Sequence, residues 1–159
     1  MIAPLLMMWL VGAAEARDPP YATLSQEIAI DRPADAAWAR ISGFCQVGAW
    51  LGASCAIKTP GPEGVGTIRR LYDRFEEVMV AKTARSYTYV VRNSPAGLAA
   101  GTVEIRPEGR RRSRVIYTAI YEPEAAPEAR QAGQASRIAL FQKLLAGMKS
   151  EAERAPGPD

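Results

Sequence analysis

The feature that most constrains this sequence is a succession of short segments in which apolar and polar residues alternate with a period of two. A turn rich in glycine, proline, asparagine or aspartate separates most of these segments from the next. Strands that follow one another at such short intervals form an antiparallel meander, because a parallel pair needs a much longer crossover connection. The predicted strands are Ser54–Lys58, Val65–Tyr72, Phe75–Lys82, Arg85–Arg92, Gly97–Arg106 and Arg112–Tyr121.

The segment before the meander begins with one further strand and continues with two short helices. Residues Thr23–Ile30 alternate and predict the strand. The sequence then predicts a helix over Ala34–Ser42, with Asp31 as its cap and Pro33 in its first turn. A second short helix is predicted over Phe44–Leu51.

The segment after the meander predicts one long amphipathic helix over Pro127–Arg154. Its apolar stripe contains Ile138, Phe141, Leu145 and Met148 at steps of three and four residues. The opposite side is polar and carries Arg130, Gln134, Arg137, Lys143 and Lys149.

This order of elements predicts an α+β fold in which a curved antiparallel sheet of about seven strands wraps around the long C-terminal helix. Such an arrangement leaves a cavity between sheet and helix. The length of 159 residues suits one domain, predicted here over 22–154. Residues 155–159 are rich in proline and glycine, and we expect them to be disordered.

The first sixteen residues have the pattern of a secretory signal. Residues 1–14 contain no charged side chain, and the apolar run Leu5–Val11 is too short to span a bilayer. The sequence Ala14-Glu15-Ala16 predicts cleavage after Ala16, although no lysine or arginine precedes the apolar run. The protein is therefore expected to be periplasmic or secreted. A buried N-terminal strand or helix and an uncleaved membrane anchor are the alternatives.

The chain contains no histidine and only two cysteines, Cys45 and Cys55. The lack of histidine excludes catalytic triads with histidine and histidine-ligated metals, so any catalysis must use carboxylates, Tyr, Lys or Arg. We expect no cofactor and no metal, because two thiols alone rarely hold zinc. In a reducing compartment the two cysteines would be free thiols. In an oxidising one they could form a disulfide that contributes about 2–3 kcal/mol.

Several short motifs, taken in order, carry a family resemblance. They are Arg32–Trp38, the short helix ending at Trp50, Gly64–Arg69, the pair Glu76 and Glu77, Ser86–Tyr89 and the final helix. In this order the chain resembles the START-like (SRPBCC) superfamily, in particular its bacterial polyketide cyclase/dehydratase-like group, and more distantly the birch-pollen-allergen relatives. The resemblance covers Ala22 to Arg154 and implies a helix-grip fold with a ligand cavity.

Two departures from the pattern of this group affect the inner surface of the cavity. The group usually carries a tyrosine in the region after Asn93, where this chain has only small residues and one leucine between Pro95 and Gly101. The last strand of the meander often carries a tryptophan where this chain has Tyr117.

Arg69 is the first candidate for a ligand-binding residue. If the turn at Asp73 is tight, Arg69 lies opposite Glu76 or Glu77, depending on the register of the two strands. An arginine held by a carboxylate could bind a ligand carboxylate or an enolate. A cross-strand ion pair without a ligand is the alternative.

The remaining candidates for contacts with a ligand are mostly aromatic. Tyrosines in an apolar cavity can hydrogen-bond a ligand carbonyl, although aromatic residues also favour strands for packing alone. Glu77 and Tyr87 are the candidates for a catalytic role, without a firm assignment. The resemblance implies that Trp50 lies near the opening of the fold, where it could contact a ligand. The predicted ligand-binding set is Arg69, Glu77, Trp50, Tyr87, Tyr89, Tyr117, Phe141 and Leu145.

Five arginines, Arg106, Arg110, Arg111, Arg112 and Arg114, lie on either side of a predicted hairpin turn. The predicted mature chain has 20 basic and 16 acidic residues, because Glu15 is removed, and a net charge of +4. This hairpin could make weak contact with an anionic membrane surface or a nucleic acid. The lack of interleaved aromatic residues argues against nucleic acid, and a solvated hairpin tip is the simpler interpretation.

Three functions follow from these observations, in decreasing order of support. The first is binding of a small hydrophobic or amphipathic ligand in an internal cavity, by an exported carrier or sensor without catalysis. The second is a lyase, a cyclase or dehydratase that uses a buried carboxylate and Arg69. The third is binding of a membrane surface or nucleic acid through the arginine hairpin.

Overall fold

The computed structural model describes residues 21–95 and 97–155, so the predicted signal over 1–16 and the end of the predicted tail lie outside the described residues. Seven strands and three helices follow in the predicted order of strand, two short helices, six strands and a long helix. The elements are β1 (Ala22–Ile30), α1 (Ala34–Ile41), α2 (Gln46–Leu51), β2 (Cys55–Ile57), β3 (Ile68–Leu71), β4 (Phe75–Thr83), β5 (Ser86–Val91), β6 (Ala99–Glu108), β7 (Arg112–Tyr121) and α3 (Pro127–Glu153).

The seven strands form one antiparallel sheet in the order β1-β7-β6-β5-β4-β3-β2. From β2 to β7 each strand pairs with the next in the sequence, which confirms the predicted meander. Strand β1 joins the far edge and pairs with β7 along its whole length, from Ala22 opposite Tyr121 to Ile30 opposite Ser113. The structure therefore has the predicted α+β helix-grip fold.

The inner face of the sheet follows from the alternation in the sequence. In β7, Val115, Tyr117 and Tyr121 are buried, whereas Ile120 on the other face is exposed. Side chains on alternate residues point to opposite faces of a strand. One set of side chains therefore packs against α1 and α3, and the other set faces solvent. The prediction for β7, Arg112–Tyr121, has the bounds of the observed strand.

Helix α3 packs on this inner face with the predicted stripe, shifted toward its C-terminus. Phe141, Leu145 and Met148 are buried as predicted, and the stripe continues to Ala152, beyond the predicted residues. Ile138 is only partly buried. Gly147 lies where a Cβ atom would come within 2.8 Å of Cβ and Cγ of Trp50, so this glycine permits close packing of α2 on α3.

Several predicted bounds differ from the observed ones by one or more residues, and two differences from the prediction have a clear structural reason. Asp31 does not cap α1: Pro33 occupies the N-cap position without a side-chain hydrogen bond, and the carboxylate of Asp31 pairs instead with Arg112 at 3.2 Å. Strand β3 begins at Ile68 rather than at Val65, because Gly66 adopts a φ of 91° within a turn in which the N–H of Thr67 donates to the carbonyl of Gly64.

A disulfide joins Cys45, immediately before α2, to Cys55 at the start of β2, with the two Cα atoms 5.5 Å apart. The bridge attaches α2 to the β2 edge of the sheet. Gly48 of α2 lies beneath it, and a Cβ atom there would come within 2.8 Å of Cβ of Cys55. The short distance between helix and strand therefore depends on this glycine.

Candidate functional site

The buried ion pair of Arg69 and Glu77 lies at the centre of the site. Strands β3 and β4 pair with Arg69 opposite Glu77 and Arg70 opposite Glu76, which settles the register that the sequence left open. Nε of Arg69 donates a hydrogen bond to Oε2 of Glu77 over 2.5 Å. Arg69 is 1% exposed and Glu77 8% exposed, whereas the neighbouring pair on the outer face is partly solvated.

The guanidinium of Arg69 is also held by aromatic rings and by a backbone carbonyl. Nη1 donates to the carbonyl oxygen of Phe44, and Cζ lies 4.0 Å from the ring centre of Phe44 and 4.8 Å from that of Tyr89. Such contacts stabilise a buried guanidinium through cation–π attraction. Sequence reasoning did not connect Phe44 to Arg69, because the contact joins residues 25 positions apart without a local signal.

Burial and the ion pair act in opposite directions on both members. Burial raises the pKa of the Glu77 carboxyl, and the Arg69 guanidinium partly opposes that rise. Burial works against the charged form of Arg69, but the charge of Glu77 and the nearby tyrosine oxygens outweigh it and raise the pKa of the guanidinium. A carboxylate in this environment is available to accept a hydrogen bond from a ligand.

Three tyrosines surround the ion pair. The hydroxyls of Tyr89 and Tyr117 are hydrogen-bonded to each other. The ring of Tyr117 stacks on Phe141 with centroids 4.3 Å apart, and Tyr87 meets the ring of Phe44 edge-on at 5.5 Å. Burial raises the pKa of all three hydroxyls, so they remain protonated at neutral pH and cannot serve as bases.

A half-open cleft of about 460 Å³ lies beside Glu77, between the β3–β6 part of the sheet and α3. Its wall is mostly apolar, and it is lined by Leu51, Leu71, Tyr72, Phe75, Glu77, Val91, Ser94, Ala99, Arg137 and Leu140. A smaller compartment of about 170 Å³ adjoins it and is lined by Tyr89, Val91, Ala99, Ala100, Ala119, Ile120, Tyr121, Arg137, Leu140 and Phe141.

One carboxylate oxygen of Glu77 is not fully buried. Among the described residues, Arg69 provides the one hydrogen bond that reaches the Glu77 carboxylate, and it reaches Oε2. Every fully buried side-chain nitrogen or oxygen in the described part of the chain has a hydrogen-bond partner. Oε1 of Glu77 is therefore not fully buried, and Glu77 is one of the residues that line the cleft.

The structure distributes the predicted ligand-binding residues over three places. Glu77 lines the larger cleft, and Tyr89 and Phe141 line the smaller compartment. The other five predicted residues line neither space, and most of them are buried in the core: Arg69, Trp50, Tyr87, Tyr117 and Leu145. Their contact with a ligand stays a prediction.

Sequence reasoning missed Arg137, which lines both compartments. The helical pattern assigned it to the polar side of the long helix, but its side chain is only 23% exposed. Nη1 and Nη2 donate to the two carboxylate oxygens of Glu124 at 3.3 and 2.9 Å, and Cζ lies 3.9 Å from the ring centre of Tyr121. Helical periodicity gave no signal for this position.

Small residues on the inner face of the sheet make the room for the cleft. Ala99 of β6 and Ala119 of β7 lie on this face, whereas the ring of Tyr89 fills the space over Gly101, the pairing partner of Ala119. Ala99 lines both compartments, and Ala119 lines the smaller one. The stretch of small residues before Gly101, noted in the sequence as a departure from the group's pattern, thus shapes the cleft.

Most arginines of the predicted basic hairpin have acidic partners. Arg112 pairs with Asp31, Arg114 with Glu27 and Glu108, and Arg106 with Glu104. Arg110 and Arg111 are exposed at the turn. The hairpin therefore carries fewer unpaired charges than the sequence suggested. Its contact with an anionic surface stays a prediction.

The described part of the chain contains neither a candidate metal cluster nor a helix that could cross a membrane. No cluster of three or more His, Cys, Asp or Glu side chains suited to a metal ion is found among residues 21–95 and 97–155. Over the same residues, no helix combines the length and the apolar character that crossing a bilayer requires.

The fold and the cleft place this protein in the class of α+β helix-grip proteins. Its cleft is mostly apolar and has the size of a small molecule. Residues 21–153 match the family described as polyketide cyclase / dehydrase and lipid transport. The chain belongs to this family, within the START-like polyketide cyclase group that the sequence motifs indicated.

Solved structures share the fold at low sequence identity. The Zhui aromatase/cyclase from Streptomyces sp. R1128 has a TM-score of 0.68 and 17% identity, over 83% of this chain and 93% of its own. A protein from Nitrosospira multiformis has a TM-score of 0.64 and 21% identity, over 84% and 100%. Truncated norcoclaurine synthase from Thalictrum flavum has a TM-score of 0.63 and 14% identity, over 82% and 92%.

These likenesses establish the fold alone, because all three identities are below 25%. A comparison with curated proteins finds no significant match. The activities of the similar structures therefore do not carry over to this chain by sequence.

Proposed function

We propose that the protein binds a small hydrophobic or amphipathic molecule in the cleft between the sheet and α3. The observation that carries the proposal is a half-open cleft of about 460 Å³ with a mostly apolar wall and one carboxylate residue, Glu77, in its lining. This volume lies within the range of about 300–1,000 Å³ typical of small-molecule sites. Family membership supports the same reading.

Two interactions with the wall of the cleft contribute to binding: burial of apolar surface and a hydrogen bond to Glu77. Burial of an apolar ligand surface against Leu51, Leu71, Phe75 and Leu140 supplies the driving force, at about 25 cal/mol per Å² removed from water. Glu77 orients the ligand by accepting a hydrogen bond from a hydroxyl or amine. Arg69 keeps this carboxylate in place from behind.

We also propose that binding takes place outside the cytoplasm, in a periplasmic or secreted carrier or sensor. The Cys45–Cys55 disulfide supports this, because disulfides persist mainly in oxidising compartments. The signal pattern before Ala16 supports it independently. N-terminal sequencing of protein recovered from the periplasm or medium would test the proposal, and a chain retained in the cytoplasm with residues 1–16 intact would refute it.

The binding proposal is tested with the uncharged fluorescent dye Nile red and with variants that change the volume of the cleft. Ala99→Phe places an aromatic ring where Ala99 lines both compartments, and it should lower dye binding at least about tenfold. Val80→Phe is the matched control, because Val80 is 45% exposed on the outer face of β4. It should leave dye binding unchanged.

The result has a clear interpretation in each case. Saturable binding of one dye per protein that Ala99→Phe abolishes and Val80→Phe preserves supports the cleft as the site. Absence of saturable binding, or equal effects of the two variants, would overturn the proposal. Thermal melting of both variants shows whether they are folded.

A cyclase- or dehydratase-type activity is the second candidate, favoured by one specific observation. Glu77 is 8% exposed and lines the cleft, so a carboxylate that could transfer protons faces the space for a substrate. The candidate Tyr87 lines neither compartment. Native mass spectrometry followed by organic extraction tests this candidate: a co-purifying cyclised aromatic polyketide would support it, and an unreacted lipid-like molecule would support carriage instead.

A further inference from the structure

The two compartments form one groove beneath α3. They share Val91 and Ala99 from the sheet and Arg137 and Leu140 from the helix. Because four lining residues are common to both, a ligand in the larger cleft can extend beneath Arg137 into the smaller compartment.

The groove has one charge of each sign among its described lining residues, and the two charges lie in different surroundings. Glu77 lines only the larger cleft and belongs to the buried pair with Arg69. Arg137 lines both compartments and is the one cation among the residues that line them. Each charge has its own counter-ion, so the two positions differ mainly in hydrogen bonding: Arg137 offers donors to an anionic group of a ligand, and Glu77 offers only an acceptor.

Arg137 is already held in a fixed position before any ligand binds. Both Nη atoms are bonded to Glu124, and the guanidinium lies over the ring of Tyr121. Gly133, one helical turn before Arg137, permits this arrangement, since a Cβ atom there would be 2.5 Å from Oε1 of Glu124. A preorganised guanidinium loses little conformational entropy when it binds a second anion.

Glu124 does not exhaust the donors of Arg137. A guanidinium has five N–H groups, and this carboxylate receives one from each Nη atom. Nε–H and one N–H on each Nη remain beyond the bidentate pair, and the side chain is 23% exposed. Arg137 can thus bind an anionic group of a ligand while it keeps its contact with Glu124.

We propose that Arg137 makes the groove selective for amphiphiles with one anionic head group, which binds at Arg137 while the apolar body lies along the wall formed by Leu71 and Phe75. The reversed orientation is disfavoured, because Glu77 has no hydrogen-bond donor to offer an anionic head group. This inference rests on the proposed binding function and adds the charge and the orientation of the ligand.

The test compares three amphiphiles with ten carbon atoms each: decanoate, decyl phosphate and decyl alcohol. Each displaces Nile red from the full-length protein at neutral pH, at fixed ionic strength and below its micelle concentration. The wild type should bind decanoate about tenfold more tightly than decyl alcohol, equivalent to about 1.4 kcal/mol. Decyl phosphate distinguishes the two common anionic heads: binding as tight as decanoate assigns the site to anions in general, and weaker binding assigns it to carboxylates.

Three variants assign the preference to a residue. Arg137→Met keeps the apolar stem and should reduce the ratio of the two affinities to about one, mainly through weaker decanoate binding. Arg137→Lys should restore part of the ratio. Arg106→Met removes an exposed arginine that lines neither compartment, and it should leave the ratio unchanged.

The outcomes separate this inference from the function on which it rests. Equal wild-type affinities for decanoate and decyl alcohol, or equal losses of both in Arg137→Met, would overturn the role of Arg137 while binding in the cleft stands. If Nile red and all three amphiphiles fail to bind, the proposed function itself is refuted. A purely structural role of Arg137 would change both affinities together and leave their ratio intact.

Discussion

The space between the sheet and the helices is filled in one half of the molecule and open in the other. In the filled half, the ring of Phe44 meets that of Tyr87 with centroids 5.5 Å apart. The ring of Tyr117 stacks on that of Phe141 at 4.3 Å, at the border with the smaller compartment. In the open half, Ala99 and the residues around it leave a cleft of about 460 Å³ under the same helix α3. Both halves share one sheet and one helix, so the size of a few side chains decides where the cavity lies.

The Arg69–Glu77 pair lies at the boundary between the two halves. Arg69 is surrounded by the aromatic rings of the filled half, and Glu77 reaches the cleft of the open half. A buried ion pair rarely stabilises a fold more than an apolar pair of the same shape would. Its position at the wall of the cleft suggests instead that it supplies a fixed polar group for a ligand.

The largest effect on stability is expected from a substitution that removes one member of the Arg69–Glu77 pair. Glu77→Leu leaves the Arg69 guanidinium buried without its partner, and it should lower the free energy of unfolding by about 3–5 kcal/mol in urea titrations. The double variant Arg69→Met/Glu77→Leu should recover most of this loss, because no unpaired charge remains.

The adjacent pair on the outer face is the matched control. Arg70 and Glu76 are one residue away on the same two strands and 2.6 Å apart, but both side chains are partly exposed. Glu76→Leu should cost far less than Glu77→Leu, because an ion pair that water reaches contributes little to stability. Similar losses for Glu76→Leu and Glu77→Leu would mean that burial does not distinguish the two pairs.

A smaller effect is expected from two neighbouring positions on β6 that belong to different halves. A Cβ atom at Gly101 would be 2.5 Å from Cζ and Oη of Tyr89, so Gly101→Ala should lower the free energy of unfolding by about 1–3 kcal/mol. Ala99→Val, two residues away, adds atoms next to the cleft and should change it by less than about 1 kcal/mol. Urea titrations give both values, and equal costs would contradict the division into a filled and an open half.

The smallest effect concerns the titration of two adjacent glutamates. The hydrogen bond from Arg70 lowers the pKa of Glu76, whereas burial raises that of Glu77, from the same ordinary value of 4.5. The contribution of Glu76 to stability is therefore lost as pH falls through its lowered pKa. The proton-linked part of the contribution of Glu77, as distinct from its ion pair with Arg69, has the opposite sign: it is fully present below pH 4.5 and is lost as pH rises through the raised pKa.

Carboxyl-carbon NMR titration measures both groups directly. We expect the Glu76 resonance to titrate below pH 4.5 and the Glu77 resonance to titrate above it. A Glu77 midpoint below that of Glu76 would show that attraction to Arg69 outweighs the burial of Glu77.

Sequence patterns predicted the fold well because strands and amphipathic helices follow from local periodicity. The order of elements, the inner face of β4 with Glu77 and Met79, and the bounds of β7 all follow from a period of two. The period of two did not show whether Glu76 or Glu77 lies opposite Arg69, because this register depends on the turn between β3 and β4. In this turn Tyr72 and Asp73 adopt positive φ values of 52° and 54°. Residues other than glycine rarely adopt this conformation, so the sequence does not predict it.

The site was harder to predict than the fold because it depends on where side chains meet across the molecule. Glu77 was identified from its place on a strand, and it lines the cleft. Trp50 was chosen by family resemblance, but it packs against Gly147. Arg137 was assigned to a solvated helix face, because helical periodicity does not show which polar residue lies over a gap in the partner sheet.

The attachment of α2 has a consequence for the rate at which a ligand can enter and leave. Leu51 at the end of α2 lines the cleft, and α2 is fixed at both ends: by the Cys45–Cys55 bridge, and by the hydrogen bond from Nζ of Lys143 to the carbonyl of Leu51 at 3.0 Å. A helix held in this way cannot swing aside as a lid. Exchange of a ligand should then be governed by the exposed side chains on the other sides of the cleft, Tyr72 and Leu140, whose rotamers change far faster than a helix can detach.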